Sequence, residues 1–169
     1  LVPAFKIASG DNDFAPLLRG VADTDKPIIL STGMSSQGQV DLACSLIREH
    51  WNLRDLSPGL ALLQCVSSYP TPAGQANLAT IQSLQSRCDF AGYSDHTEGI
   101  EVAALAVAAG ARIVEKHFTI DKNLPGRDNK FALLPMEMKI ISNYRDIFAK
   151  MNIDRGLNVQ ECEMDIYNN

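Results

Sequence analysis

Basic residues are too few in this chain to build a polyanion-binding surface: 15 Lys and Arg stand against 20 Asp and Glu, for a net charge of -5 and a pI near 5.1. This balance argues against nucleic acid or an anionic membrane as a partner, although a small anion can still bind where lysines and backbone donors converge. Cysteine is also scarce. The four cysteines, at 44, 65, 88 and 162, have neither the density of a disulfide framework nor a C-x-x-C pair, and Cys44 and Cys65 fall in apolar-periodic segments. They read as reduced packing residues of a cytoplasmic protein. The start, Leu1-Val2-Pro3-Ala4, lacks a Met, a charged leader and a long apolar stretch, so neither a signal peptide nor a membrane span is expected, and the true N-terminus is expected upstream. No G-x-G-x-x-G follows an apolar run, and Ser31-Thr32-Gly33-Met34 is too short a glycine signal for a dinucleotide loop. What the chain does have is 46% hydrophobic residues over 169 positions, enough for one domain, or part of one, with a sizeable core.

Short apolar runs, polar turns and helix-period segments alternate along the chain, the pattern of parallel βα units. Strands are predicted at Ala4 to Ala8, Pro27 to Ser31, Leu60 to Val66, Phe90 to Ser94 and Arg112 to His117. Their spacing approaches the roughly 25 to 30 residues per unit of a (β/α)8 barrel. Helical stripes fill the gaps: Phe14, Leu17, Leu18 and Val21; Val40, Cys44, Ile47 and Trp51; Leu78, Ile81 and Leu84; Ile100 to Ala109; and Met136, Ile140, Tyr144 and Ile147. The barrel portion is placed at residues 1–150. The segment Met151 to Asn169, with weak periodicity, reads as a frayed or partner-docked tail rather than a separate domain.

Five parallel strands also suit an open doubly wound sheet, and polar residues decide between the two. Lys6 with Ser9, Ser31 with Thr32, Ser67 with Tyr69, Ser94 with His96, and Glu115 with His117 all lie at or just past the carboxyl ends of successive strands. An open sheet loads its switch point, whereas a barrel aims every strand end at one centre. The expected fold is therefore α/β, a partial (β/α)8 TIM barrel of five βα units. Alternation puts Ile113, Glu115 and His117 on one face, and Gly92, Ser94 and His96 on one face of the preceding strand. Parallel pairing would bring the two imidazoles close enough to share a metal ion. Each of these residues also has an ordinary reading: core or rim histidines, a solvated Lys6, and serines that cap the following helices. His50, at a helix end beside Trp51, reads as structural.

Six linked segments carry a resemblance. They are Lys6-Ile7-Ala8-Ser9-Gly10, Pro27 to Met34, Ser68-Tyr69-Pro70-Thr71-Pro72, Gly92 to Thr97, Glu115 to Thr119 and Pro125-Gly126-Arg127-Asp128. In order and spacing this series resembles the N-acetylneuraminate (sialic acid) synthase family, over the barrel portion from about the fourth to the eighth strand. The resemblance implies condensation of phosphoenolpyruvate with N-acetylmannosamine, or a related N-acylated amino sugar, to give a nonulosonic acid and phosphate. It implies His96 and His117 as ligands of a divalent metal, Mn²⁺ or Mg²⁺, and Lys6, Ser9, Ser31 and Ser94 as phosphoenolpyruvate-binding. It further implies Ser67, Tyr69 and Asp128 in the sugar pocket, with Glu115 and Asp128 in catalytic roles.

This sequence departs from the family pattern at Asn129, where members often have His, and at Ser67, where some have Asn. The first three strands are not represented, so the chain alone is expected to be inactive, and its strand edges to be covered by a homo-oligomer or by the missing barrel half. The rival readings are a non-catalytic binding module that keeps the scaffold, and a Schiff-base aldolase using Lys6.

Overall fold

A computed structural model describes residues 2–168 as a single five-stranded parallel sheet with helices on its outer side. The strands are β1 (Phe5–Ile7), β2 (Ile28–Ser31), β3 (Leu60–Cys65), β4 (Phe90–Asp95) and β5 (Ile113–Lys116), hydrogen-bonded in the order β1-β2-β3-β4-β5. Neighbours in sequence are neighbours in space, so the sheet curls in one direction as half of a TIM barrel, without the strand-order reversal of a doubly wound sheet. All five predicted strands are present: four are a residue shorter at one or both ends, and β4 runs one residue further, to Asp95. Val66 and His117 fall just past strand ends. Among the described residues no helix is long and apolar enough to cross a membrane.

The helices are α1 (Ala15–Ala22), α2 (Gln37–Asn52), α3 (Thr80–Leu84), α4 (Glu101–Ala108), α5 (Pro135–Met151) and α6 (Met164–Tyr167). Helix α2 starts at Ser36, which exchanges a capping box with Gln39 and so satisfies two end donors at once. The expected third helix is shorter than its stripe: only Thr80–Leu84 is helical, with a 3-10 turn at Ala73–Gln75 before it. Residues 152–168 are exposed except for the half-buried Gln160, and carry only a 3-10 turn and α6.

Strand alternation sorts the sheet into two chemistries. Ile7, Ile28, Leu30, Leu60, Leu62, Ala91 and Tyr93 face the helices and build the core with Leu18, Ile47, Trp51 and Ile81. A fully buried side chain of this kind contributes about 1.5 to 3 kcal/mol by leaving water. The alternate positions, Lys6, Ser31, Cys65, Ser94 and Glu115, face the concave side.

Two helical stripes differ from their expected burial. On α5, Met136, Ile140, Tyr144 and Ile147 are exposed or nearly so, and Ile141 is the residue that packs inward beside Leu133 and Ala103. On α1, Leu18 and Val21 are buried while Phe14 and Leu17 are not. Periodicity finds an apolar stripe, but both of these helices flank the two open ends of the sheet, where there is no neighbouring helix to cover it.

Gly92 of β4 lies opposite Ile113 of β5. A Cβ there would collide with the Ile113 carbonyl and lie 2.5 Å from Leu63 Cδ2. Because a backbone oxygen cannot rotate away, Gly92→Ala is expected to cost about 1 to 3 kcal/mol, the usual range for overpacking. Urea unfolding should show a lower midpoint at an unchanged slope.

Candidate active site

The carboxyl end of the sheet collects the polar residues. His96 follows the last residue of β4 and His117 the last residue of β5, and the register pairs Ser94 with Glu115 and Asp95 with Lys116. The two imidazole centroids are 5.3 Å apart. Shared facing, expected from alternation, is therefore what the fold delivers.

His96 is buried and held on several sides. Its Nδ1 lies 3.0 Å from the Val66 carbonyl, and because a carbonyl only accepts, Nδ1 must carry the hydrogen and Nε2 is left with its lone pair. Its own carbonyl accepts from Thr71 N–H at 2.9 Å, and the Thr71 hydroxyl donates to the carbonyls of Val66 and Ser68. The loop carrying Ser67 and Tyr69 is thereby fastened to this imidazole. The Tyr69 ring lies against it, with centroids 4.2 Å apart.

His117 is more open, and Asp128 Oδ2 lies 3.5 Å from its Nδ1. Asp128 reaches it because the loop after β5 folds back: Leu133 N–H donates to the His117 carbonyl and Thr119 N–H to the Leu133 carbonyl. Asn129, the departure from the expected His, donates to the carbonyls of Leu124 and Pro125 at 3.1 and 3.0 Å. It fastens the loop that presents Asp128. Phe131 closes the wall 5.1 Å from His117, a role the sequence reading missed because an aromatic in a loop has no periodic signature.

The phosphoenolpyruvate-binding candidates form the deeper part of the site. Gly33 N–H donates to Ser9 Oγ at 2.9 Å. A Cβ on Gly33 would stand 2.5 Å from Ser67 Oγ, 2.7 Å from Ser9 Oγ and 3.1 Å from Cys65 Sγ. The missing side chain is what lets two hydroxyls and a thiol converge. Ser31 and Ser67 have buried hydroxyl oxygens with no hydrogen-bond partner, an arrangement that costs free energy unless a ligand supplies one. None of these serines caps a helix, since the cap of α2 is Ser36. Ser94 lines a hollow of about 260 Å³ together with His96, Glu115 and His117. Tyr69, Asp128 and Phe131 border a second of about 820 Å³. A third, of about 620 Å³, contains one charged side chain, Arg87, already paired with Asp41 at 2.8 Å.

Charge in the hollow is balanced locally. Lys6 Nζ is 3.1 Å from Glu115 Oε2, an ion-pair distance without the alignment of a hydrogen bond, so this oxygen still lacks a donor. Cys65 does more than pack. Burial pushes its thiol up, but hydrogen bonds from His96, Ser9 and Ser94 outweigh that and bring it below its ordinary value. The contrast is Cys44, which burial pushes up to about 11. All four cysteines are free. His50 is structural as expected, with Nε2 2.8 Å from Asp23.

Two imidazoles, one with its second nitrogen fixed by a carbonyl, are donors suited to a divalent transition ion. Among the described residues no group of three His, Cys, Asp or Glu side chains converges to hold a metal. The residues fit a two-ligand site whose remaining positions would fall to water or substrate oxygens.

Comparison with known proteins agrees with this architecture. A crystal structure of N-acetylneuraminic acid (sialic acid) synthetase from Leptospira borgpetersenii, in complex with citrate, superposes with a TM-score of 0.85 at 37% identity, covering 99% of this chain and 57% of that one. N,N'-diacetyllegionaminic acid synthase from Campylobacter jejuni is 42% identical over 138 residues, 81% of this chain and 40% of its own length. N-acetylneuraminate-9-phosphate synthase from Drosophila melanogaster is 39% identical over 171 aligned positions, 92% of this chain and 45% of its own. The chain thus spans less than half the length of these two curated relatives. With the NeuB family model matching residues 1–153, the chain belongs to the NeuB family.

Proposed function

We propose that this chain forms the carboxyl-terminal part of the barrel of a synthase condensing phosphoenolpyruvate with N-acetylmannosamine, or a related N-acylated amino sugar, to a nonulosonic acid and phosphate. The observation that carries this reading is the convergence of His96 and His117, 5.3 Å apart, above a floor of hydroxyls and beside the Lys6–Glu115 pair. The printed names of its relatives, synthases of sialic and legionaminic acids, support it.

In this reaction C3 of phosphoenolpyruvate bonds to the aldehyde carbon of the open-chain sugar, water adds at C2, and phosphate leaves. Ser9, Ser31, Ser94 and the Lys6 ammonium hold the phosphoenolpyruvate anion by hydroxyl and charge-assisted hydrogen bonds. The unpartnered hydroxyl oxygen of Ser31 is available for that purpose, and that of Ser67 for the sugar. Tyr69, Ser67 and Asp128 orient the sugar, and Glu115, tethered by Lys6, handles protons beside the reacting carbons. A divalent ion, Mn²⁺ or Mg²⁺, held by His96 and His117 would supply Lewis-acid polarisation of the sugar aldehyde. Lys6 lies half-exposed against a carboxylate, whereas a Schiff-base lysine needs apolar, desolvated surroundings.

Turnover on this reading belongs to a closed barrel. The outer edges of β1 and β5 are unpaired within the sheet, and the exposed stripes of α1 and α5 flank them. The test is phosphate release from phosphoenolpyruvate on adding N-acetylmannosamine, for the chain alone and with the amino-terminal strands of its full reading frame restored. Release should be negligible alone and restored in the longer protein. Turnover by the isolated chain would refute the need for closure. Phosphoenolpyruvate binding with no release from the longer protein would select a non-catalytic binding module.

A further inference from the structure

The helix-facing side of the sheet is apolar along nearly its whole length, with one charged exception directly behind the two histidines. Lys116 Nζ lies 2.8 Å from Asp95 Oδ2, and the two side chains are 1% and 0% exposed. The same ammonium donates to the Thr97 carbonyl at 2.6 Å, while Asp95 Oδ1 accepts the Thr97 N–H at 2.8 Å. His96 is thus the middle residue of a short turn, Asp95 to Thr97, which the Asp95 side chain closes and Lys116 ties at both ends to β5. Lys116 in turn immediately precedes His117.

We infer that Lys116 and Asp95 are positioning residues, a cross-strand clamp that sets the spacing of the His96 and His117 imidazoles from the opposite face of the sheet. The pair joins residues in direct register, Asp95 opposite Lys116, at the last rung of the β4–β5 ladder. Beyond that rung the two strands make no further ladder pair with each other: the His96 carbonyl accepts from Thr71 and the His117 carbonyl from Leu133, so each histidine is held to its own loop and the pair ties the two strand ends together. A slip or splay there would re-aim both rings, because side-chain facing follows the register. A buried charge pair is poor evidence for stability, and the best-attested use of such a pair is to fix one arrangement among several. A surface away from water also keeps the pair from exchanging partners. Among the described residues the ammonium hydrogen-bonds Asp95 Oδ2 and the carbonyl and hydroxyl of Thr97.

The inference rests on the metal reading above, and the experiment separates the two. The 169-residue chain, an Asp95→Asn/Lys116→Met double variant, a Leu18→Ala variant and a His117→Ala variant are compared for Mn²⁺ binding by titration calorimetry. The double variant is neutral and keeps the acceptor for the Thr97 N–H while cutting the tie between strands. Its Mn²⁺ affinity is expected to fall about 10- to 100-fold, the usual effect of removing groups that orient metal ligands. Leu18, a buried core residue on α1, supplies a variant that lowers the melting temperature without changing a residue of the clamp or the site, and its affinity should be unchanged.

Unchanged affinity in the double variant, or an equal loss in Leu18→Ala, overturns the positioning role. If the wild-type chain takes up no Mn²⁺, the metal reading falls, and proton NMR contacts between the His96 and His117 rings decide the clamp without metal. Loss of those contacts in the double variant supports it and their retention overturns it. Should the double variant not fold, Lys116→Arg keeps the charge but lengthens the reach. It should weaken binding several-fold, and unchanged affinity there would count against the clamp equally.

Discussion

Replacing His117 by alanine is expected to weaken Mn²⁺ binding by more than about 100-fold, beyond the loss that a supporting hydrogen bond accounts for. It should also bring phosphate release by the completed barrel to background. His96→Ala should do the same. On the proposed two-imidazole site, loss of either ring leaves a single imidazole to hold a labile divalent ion.

On the proposed reading, the pH dependence of Mn²⁺ binding should separate the two histidines. Burial lowers His117, helped by the nearby His96 charge and outweighing the pull of Asp128. In His96, burial acts downward as well, but hydrogen bonds to Cys65 and to the Val66 carbonyl, with the charges of Cys65 and Asp95, leave it above the ordinary 6.5. Metal binds the neutral ring, so protons compete mainly at His96. Affinity should be flat at alkaline pH and fall about tenfold per unit as pH drops through the raised His96 value, which is one proton displaced per ion. In His96→Gln that slope should vanish along with most of the affinity. A slope that survives the substitution would assign the titration elsewhere.

The second large effect is on stability. Lys116→Met leaves the Asp95 carboxylate with no cation in a layer where both side chains are essentially sealed from water. Breaking one side of a buried pair costs about 3 to 5 kcal/mol, and for a chain of this size the melting temperature should fall by roughly 6 to 20 °C. Removing both charges while keeping the acceptor for the Thr97 N–H, as in Asp95→Asn/Lys116→Met, should recover most of the loss, because the desolvation of two ions disappears together with their attraction. Guanidinium unfolding of the single and double variants measures both numbers. A single-variant cost below about 1 kcal/mol would mean that water reaches this layer.

The candidate site was partly legible in the sequence because strand geometry is rigid. A period of two puts Glu115 and His117, and Ser94 and His96, on shared faces whatever surrounds them. The same rule gave the direction of Lys116, away from the hollow, but not its fate: alternation says which face a residue takes, not whether that face meets water or a helix. Cys65 was read as packing for the same reason. Its convergence with Ser9 and Ser67 depends on Gly33, some thirty residues away, having no side chain. Phe131 and the loop-fastening role of Asn129 come from a chain reversal that no local pattern encodes.

Local chemistry alone therefore determined the five parallel strands, their succession and the residues at their carboxyl ends, because apolar alternation and turn composition act over a few residues. Tertiary structure decided what long-range packing controls. It buried Ile141 in place of the Met136, Ile140, Tyr144 and Ile147 stripe, since a helix at the open end of a curled sheet has a neighbour on one side only. It sealed the Lys116–Asp95 pair behind the histidines, since only the helix layer can exclude water there. And it brought the two imidazoles to 5.3 Å, a distance set by register between strands that lie about twenty residues apart in sequence.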